Sequence, residues 1–397
     1  MLEQPNRMSE TPPLHGTADP RFARVKEAFA ENFRERNEVG AAVAVTIDGK
    51  RVVDLWAGHA DQSRRRPWEQ NTIVNVYSTT KGMAALCLHR LVEQGRVDLE
   101  APVARYWPEF AQAGKEAVPV RDLLGHRAGL AAVQPLLPGE ALYDWDAMVT
   151  ALAAQPPWWK PGSAHGYHAV TFGWLVGEVV RRVTGRSLGT YFREAIAGPL
   201  DMDFHIGLDD SEHHRVAEMS TIPLPEPGAD SLQLAMVMMS DPEGLAARAF
   251  MNPPSIAHGP NIPQWRRAEI PGANGHGDAR ALARVYGALA HGGRIDGVPV
   301  LSRESIARCH AELSQGPDLV LQLATRFGHG FMLPQDRLDA RIGRGTRSFG
   351  HPGAGGSLGF ADPDAGVGFG YVMNRMGPKI LLDVRAIALA DAVYESL

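Results

Sequence analysis

Ser78-Thr79-Thr80-Lys81 follows the apolar run Thr72-Ile73-Val74-Asn75-Val76-Tyr77 and opens the stretch Gly82-Met83-Ala84-Ala85-Leu86-Cys87-Leu88-His89-Arg90-Leu91-Val92-Glu93-Gln94-Gly95. Ala84, Leu88 and Leu91 recur at helical spacing and Gly95 supplies a stop, so the stretch predicts a helix with Ser78 at its start. Positions i and i+3 share a helix face, which puts a hydroxyl and an amine one turn apart. Serine is a poor nucleophile unless a neighbour takes its proton, and a desolvated lysine can do so. Backbone N–H groups at a helix start also suit a developing oxyanion.

A serine N-cap followed by a surface lysine is equally ordinary helix chemistry. Two features favour the chemical reading. This is the only S-x-x-K in the chain, and the chain has six lysines (26, 50, 81, 115, 160 and 379) against 34 arginines. Where positive charge alone is wanted, this sequence writes arginine. Lysine can lose its proton and arginine effectively cannot, so Lys81 fits a position that needs a base.

The 397 residues are 44% hydrophobic and 21% charged, enough for a large core in two domains or one domain with a big insertion. The net charge of −5 and the lack of a strongly basic tract argue against nucleic acid as a partner. Cys87 and Cys309 give neither a disulfide framework nor zinc spacing. The fifteen histidines form no H-E-x-x-H or comparable ligand pattern, so neither a metal nor a cofactor is expected. Met1–Met8 lacks a hydrophobic signal core and no apolar run is long enough to span a bilayer, so the expectation is a soluble, cytoplasmic protein without membrane partners. The sequence leaves the oligomeric state open.

Residues 1–18, Pro-rich and polar, read as a loose arm. Residues 20–37 form an amphipathic helical pattern. Gly40–Ile47 and Arg51–Gly58 are β-like runs joined by Asp48-Gly49-Lys50, a hairpin signal. Glycine-rich β-like runs return at Phe327–Leu333, Ser348–Gly353 and Val367–Met373, and a helix at about 379–395 closes the chain. Strands near both ends with helices between them suggest an α+β fold. Its antiparallel sheet, flanked by helices, is built from both termini (19–81 and 276–397) and carries a large, mostly helical inserted domain (82–275). The active site is expected between the two.

Tyr167, in Lys160-Pro161-Gly162-Ser163-Ala164-His165-Gly166-Tyr167-His168-Ala169, lies just before a helix expected near Val170. A phenol there can share a proton with lysine, or can simply be a core tyrosine at a loop–helix junction. Leu123-Leu124-Gly125-His126-Arg127-Ala128-Gly129-Leu130 is a further unusual segment, in which His126 reads as a structural residue. Gly350-His351-Pro352-Gly353-Ala354-Gly355-Gly356-Ser357 has the pattern of a strand edge beside a glycine-rich turn, where a backbone N–H can face a substrate.

Taken in order, these segments resemble the serine β-lactamase and penicillin-binding protein superfamily, in particular the class C β-lactamase-like family VIII carboxylesterases. The resemblance runs from about residue 22 to the end. It rests on Tyr-Ser-Thr-Thr-Lys-Gly, Leu-Val-Glu-Gln-Gly-Arg-Val-Asp-Leu-Glu-Ala-Pro-Val, Leu-Leu-Gly-His-Arg-Ala-Gly-Leu, Pro161-Gly162…Tyr167 and Gly-His-Pro-Gly. It implies Ser78 as acylated nucleophile, Lys81 as its base and Tyr167 as proton shuttle. It also implies an oxyanion hole from the N–H groups of Ser78 and Ala354, with His351, Gly353 and Trp159 at the substrate. His351 stands where β-lactamases and D,D-peptidases carry the lysine of Lys-Thr-Gly, and Tyr167-His168-Ala169 lacks the asparagine of Tyr-x-Asn. Both departures shift the expected substrate toward short-chain, uncharged carboxylic esters, small molecules hydrolysed through an acyl-enzyme. A β-lactamase, D-amino-acid peptidase or acyltransferase on the same scaffold is the alternative, and a non-enzymatic penicillin-recognising binding protein a more distant one.

Gly355-Gly356-Ser357-Leu358-Gly359 also matches G-x-S-x-G, the nucleophile elbow of α/β-hydrolases. That reading needs a histidine further along the chain, and none follows His351. Ser357 is therefore expected to be a turn residue.

Overall fold

Asp48 and Gly49 both adopt positive φ, 49° and 78°, the turn geometry that matches the twist of two adjoining strands. They close a hairpin of β2 (Gly40–Ile47) and β3 (Lys50–Gly58). These coordinates are a computed structural model that describes residues 11–221 and 230–397. Residues 1–10 of the expected arm lie outside the described residues. The rest of that arm is not loose, because Leu14–Ala18 form β1 and pair antiparallel with β3. With only one neighbour, such an edge strand needs little apolar sequence, which is why its composition read as a tail.

The remaining strands of the sheet come from the other end of the chain: β4 (Phe349–Pro352), β5 (Leu358–Asp362) and β6 (Val367–Met373). The order β1-β3-β2-β6-β5-β4 is antiparallel throughout, with β2 and β6 joining the N- and C-terminal portions at its centre. All seven residues of β6 are buried. Helices α1 (Ala23–Glu35) and α6 (Val384–Tyr394) pack against each other, and α5 (Ala279–Ala290) covers the opposite portion of β6 and β2. The helix α6 begins five residues later than the apolar pattern suggested, at an Asp383 side chain that caps its first turn.

The run Phe327–Leu333 does not form a continuous strand. The strand ends at Phe327, Gly330 adopts a φ of 89°, and the chain folds back so that Met332 bridges both Phe327 and Gly350. Between β3 and β4 the chain is mainly helical. It includes α2 (Thr80–Glu93), α3 (Thr171–Thr184) and α4 (Asp230–Ser240), together with short β-bridged pieces at Val74–Asn75, Phe204–His205 and His276–Gly277. Helix α2 packs on α3 and on β4, so it is buried on nearly every side rather than along one stripe. Placing Lys81 on this element removes it from bulk water, while Ser78, just before it, stays partly exposed.

The glycines of β6 set the distance between sheet and helix. A Cβ at Gly368 would meet the Gly287 nitrogen at 2.2 Å, and one at Gly370 the Ala279 carbonyl oxygen at 2.3 Å. Both obstacles are backbone of α5, which cannot swing aside. Gly368→Ala should therefore destabilise the fold by about 1–3 kcal/mol through overpacking, read as a lowered denaturant midpoint. An unchanged midpoint would show that α5 is free to retreat.

Candidate active site

Ser78 sits in the first turn leading into α2: its carbonyl accepts from the Lys81 N–H at 2.9 Å. The residue before it, Tyr77, has a φ of 44°, a left-handed conformation that a bulky residue adopts at a cost. Val76 is tied to the Gly275 carbonyl at 2.8 Å, and Gly275 in turn donates to the Thr80 hydroxyl at 2.8 Å. These bonds hold the sharp lead-in that turns Ser78 toward the cleft.

Lys81 is fully buried. Its Nζ lies 3.0 Å from Ser78 Oγ and 2.7 Å from each of two backbone carbonyl oxygens, those of Ala169 and Gly272. No carboxylate among the described residues is a partner. Desolvation by burial is the cause that holds its amine well below the ordinary lysine range. The Nζ also stands 4.7 Å from the centre of the Tyr167 ring.

Tyr167 is buried at the loop leading to α3, with its backbone N–H bonded to Asp318 Oδ1 at 3.0 Å. Its ring stacks on Phe327 at 6.0 Å and 9°, and its hydroxyl is hydrogen-bonded to Ser78. Burial pushes the phenol above its usual range. Of the two groups touching Ser78, the amine is thus the one pushed toward its neutral, basic form, and the phenol keeps its proton. Sequence alone had left that choice open.

His126 and His168 complete the packing behind Tyr167. His126 Nδ1 accepts from the His168 backbone N–H at 3.1 Å, and His168 Nε2 accepts from Leu130 N–H at 3.2 Å. Both imidazoles are neutral acceptors in a dry layer, as the structural reading of His126 expected. Trp159 is half-buried and lies edge-on to His168, with its indole N–H on the Ala164 carbonyl. It does not line the cavity at Ser78. Gly353 is set back as well, against the Val76 carbonyl, where a Cβ would approach to 2.1 Å. Of the three residues expected at the substrate, His351 alone is in the wall.

The cavity holds about 220 Å³ and opens beside Ser78 and Tyr167. Its walls are mostly apolar, with Leu234 of α4, Phe250, Leu321, Met332 and Ile380 among them. His351 and Ala354, at the end of β4 and in the turn after it, form the side facing the serine. Neither the Ser78 N–H nor the Ala354 N–H has a partner among the described residues.

Two supports of that turn were not foreseen. Ser357 Oγ is buried, donates to the Val76 carbonyl at 2.8 Å and lies 3.1 Å from Thr79 Oγ1. The serine of the apparent elbow therefore joins the glycine turn to both sides of Ser78, between two strands rather than at a strand-to-helix corner. Arg385 of α6 donates to the carbonyls of Gly355 and Arg375, each at 2.9 Å. It is itself held by Glu38 at 2.9 Å and Asp383 at 2.7 Å. An arginine so far along the chain carried no local motif, so nothing in its neighbourhood pointed to the turn.

The beta-lactamase family profile matches residues 27–393. The esterase/beta-lactamase LipL of Mycobacterium tuberculosis is 41% identical over 378 residues, 93% of this chain and 85% of the relative. A crystal structure of a family VIII carboxylesterase superposes with a TM-score of 0.87 at 43% identity, over 97% of this chain and 100% of that one. A penicillin-binding protein homologue from Caulobacter crescentus gives 0.89 at 44% identity, with the same coverage.

Burial lowers the imidazoles of His168, His276 and His351 to about 3 and that of His89 to about 4. In the unfolded chain each titrates near 6.5, so below that pH the unfolded state binds more protons than the native one. Stability should fall as pH drops from about 6.5 toward 4, each histidine contributing up to about 1.4 kcal/mol per pH unit. Urea midpoints at pH 7 and pH 5 check this; equal midpoints would contradict it.

Proposed function

The chain belongs to the beta-lactamase family, and from that premise we propose that it is a serine carboxylesterase acting on short-chain, uncharged carboxylic esters. The observation that carries the reading is the Lys81 amine, buried without a counter-ion 3.0 Å from Ser78 Oγ. A neutral amine has two N–H groups and one lone pair. The Ala169 and Gly272 carbonyls, which can only accept, take the two N–H groups. The lone pair is left for the Ser78 hydroxyl, the arrangement a general base requires.

In the proposed reaction Ser78 Oγ attacks the ester carbonyl carbon as its proton passes to Lys81 Nζ. The carbonyl oxygen becomes an oxyanion between the Ser78 and Ala354 N–H groups, each donor lowering the barrier by about 3 kcal/mol. Collapse breaks the bond to the alkoxy oxygen. The proton held by Lys81 reaches that oxygen through the Tyr167 hydroxyl, and the alcohol leaves. Water then attacks the acyl-enzyme, giving its proton to the same pair, and the acid departs with Ser78 restored.

The compact apolar cavity supports a short acyl chain. His351, lowered to about 3 chiefly by burial, supplies no positive charge at neutral pH to hold a carboxylate. Lys379, at the exposed rim, is the one lysine or arginine among the lining residues. The esterase names of LipL and of the family VIII structure agree with this substrate class. The proposal includes a cytoplasmic location: Cys87 and Cys309 are buried free thiols, and no described helix is long and apolar enough to cross a membrane.

Two variants test the mechanism with p-nitrophenyl butyrate. Ser78→Ala should lower kcat by at least ~10³-fold with the far-UV and near-UV CD spectra unchanged. Lys81→Arg should do likewise, because a guanidinium cannot give up its proton at these pH values. Activity within tenfold of the parent in either variant would remove the assigned role. Ser357→Ala should reduce kcat by about tenfold with little change in KM, since the hole it supports acts on the transition state more than on the bound ester. A rise in KM at constant kcat would contradict that assignment.

A further inference from the structure

His351 has one nitrogen whose state the structure determines and one with nothing to bind. Its Nδ1 lies 2.7 Å from the Pro352 carbonyl oxygen. A carbonyl accepts and never donates, so Nδ1 carries the hydrogen. The ring is neutral, with a single N–H, so Nε2 presents a bare lone pair. That atom is buried and has no partner among the described residues, yet the side chain lines the cavity together with Ser78 and Tyr167. The ring centre is 5.9 Å from that of Tyr167.

The neighbouring donors are already engaged. The Tyr167 hydroxyl is bonded to Ser78, and the Lys81 N–H groups point at the Ala169 and Gly272 carbonyls. A buried acceptor with no donor is costly, and the cost disappears when a bound molecule brings the donor. We infer that His351 Nε2 selects esters bearing a hydroxyl or N–H donor within hydrogen-bond reach of the scissile carbonyl. The inference rests on the carboxylesterase reading and narrows its substrate class. A lysine at this position would recognise an anion by donating to it. The lone pair of His351 has the opposite polarity: it accepts from a neutral donor and disfavours a carboxylate in the same place.

The donor can sit in the acyl part or in the alcohol part, and two matched pairs separate these sources. Methyl 3-hydroxybutyrate against methyl butyrate probes the acyl side, and 2-hydroxyethyl butyrate against ethyl butyrate the alcohol side. The parent enzyme should favour the hydroxyl-bearing ester by at least tenfold in kcat/KM in one pair, because sites built around a polar partner discriminate strongly against analogues that lack it. In His351→Phe, which keeps a planar ring and removes the acceptor, that ratio should fall to about one. In His351→Gln, whose side-chain oxygen still accepts, a preference should persist. Ratios within twofold of one in both pairs for the parent enzyme would overturn the inference while leaving the esterase reading intact, and so would a preference that survives in His351→Phe. No hydrolysis of any of the four esters would overturn the esterase reading and this inference with it. The parent ratios stand as a test even if His351→Phe does not fold.

Discussion

A lysine amine held between two backbone carbonyls, buried and with no carboxylate partner among the described residues, is the interaction on which the proposed chemistry depends. Charging that amine would require hydration that the site does not offer, so burial keeps it basic. In the proposed neutral form the carbonyls do more than fill space, because they take both N–H groups and leave the lone pair facing the Ser78 hydroxyl. Ala169 precedes α3 and Gly272 precedes α5, so the two acceptors come from segments far from Lys81 in sequence. The proposed base therefore needs the segments carrying Ala169 and Gly272 folded against α2.

The proposed anion-stabilising side of the cleft is organised by the same means. Its two N–H groups belong to different parts of the chain, one on the lead-in to α2 and one in the turn after β4. Ser357 bonds the turn to the Val76 carbonyl, two residues before Ser78, and Arg385 grips the turn from behind through the Gly355 carbonyl. Arg385 satisfies two carboxylates and two carbonyls at once, which is the kind of full pairing a buried guanidinium needs to be tolerated. Preorganised dipoles of this sort need no rearrangement as charge develops in the reaction.

Local features were readable where a single turn or a short periodicity determines the outcome. The Asp48-Gly49 hairpin, the helix after Ser78 and the strand at Gly350-His351 follow from residues adjacent in sequence, and the structure has them at those positions. Features made by distant parts of the chain were not readable. The Ala169 and Gly272 carbonyls are backbone atoms with no side-chain signature, and Arg385 looked like any helix arginine. The scarcity of lysine pointed to Lys81 but did not single it out. Lys115 is also buried, with its Nζ on the Gln112 and Gln155 carbonyls, and desolvation lowers it too. What separates the two is a hydroxyl within reach, which only the fold supplies. Trp159 was expected at the substrate, yet its ring lies edge-on to His168 with its indole N–H on the Ala164 carbonyl.

The protonation state of Lys81 at neutral pH is the most direct measure of this account. Protein labelled with ¹³C at the lysine ε carbon should give a resonance at the neutral-amine position at pH 7 that disappears in Lys81→Arg. If the resonance lost in Lys81→Arg instead sits at the charged-amine position at pH 7, Lys81 is an ordinary cation and the proton-transfer chain built on it is wrong.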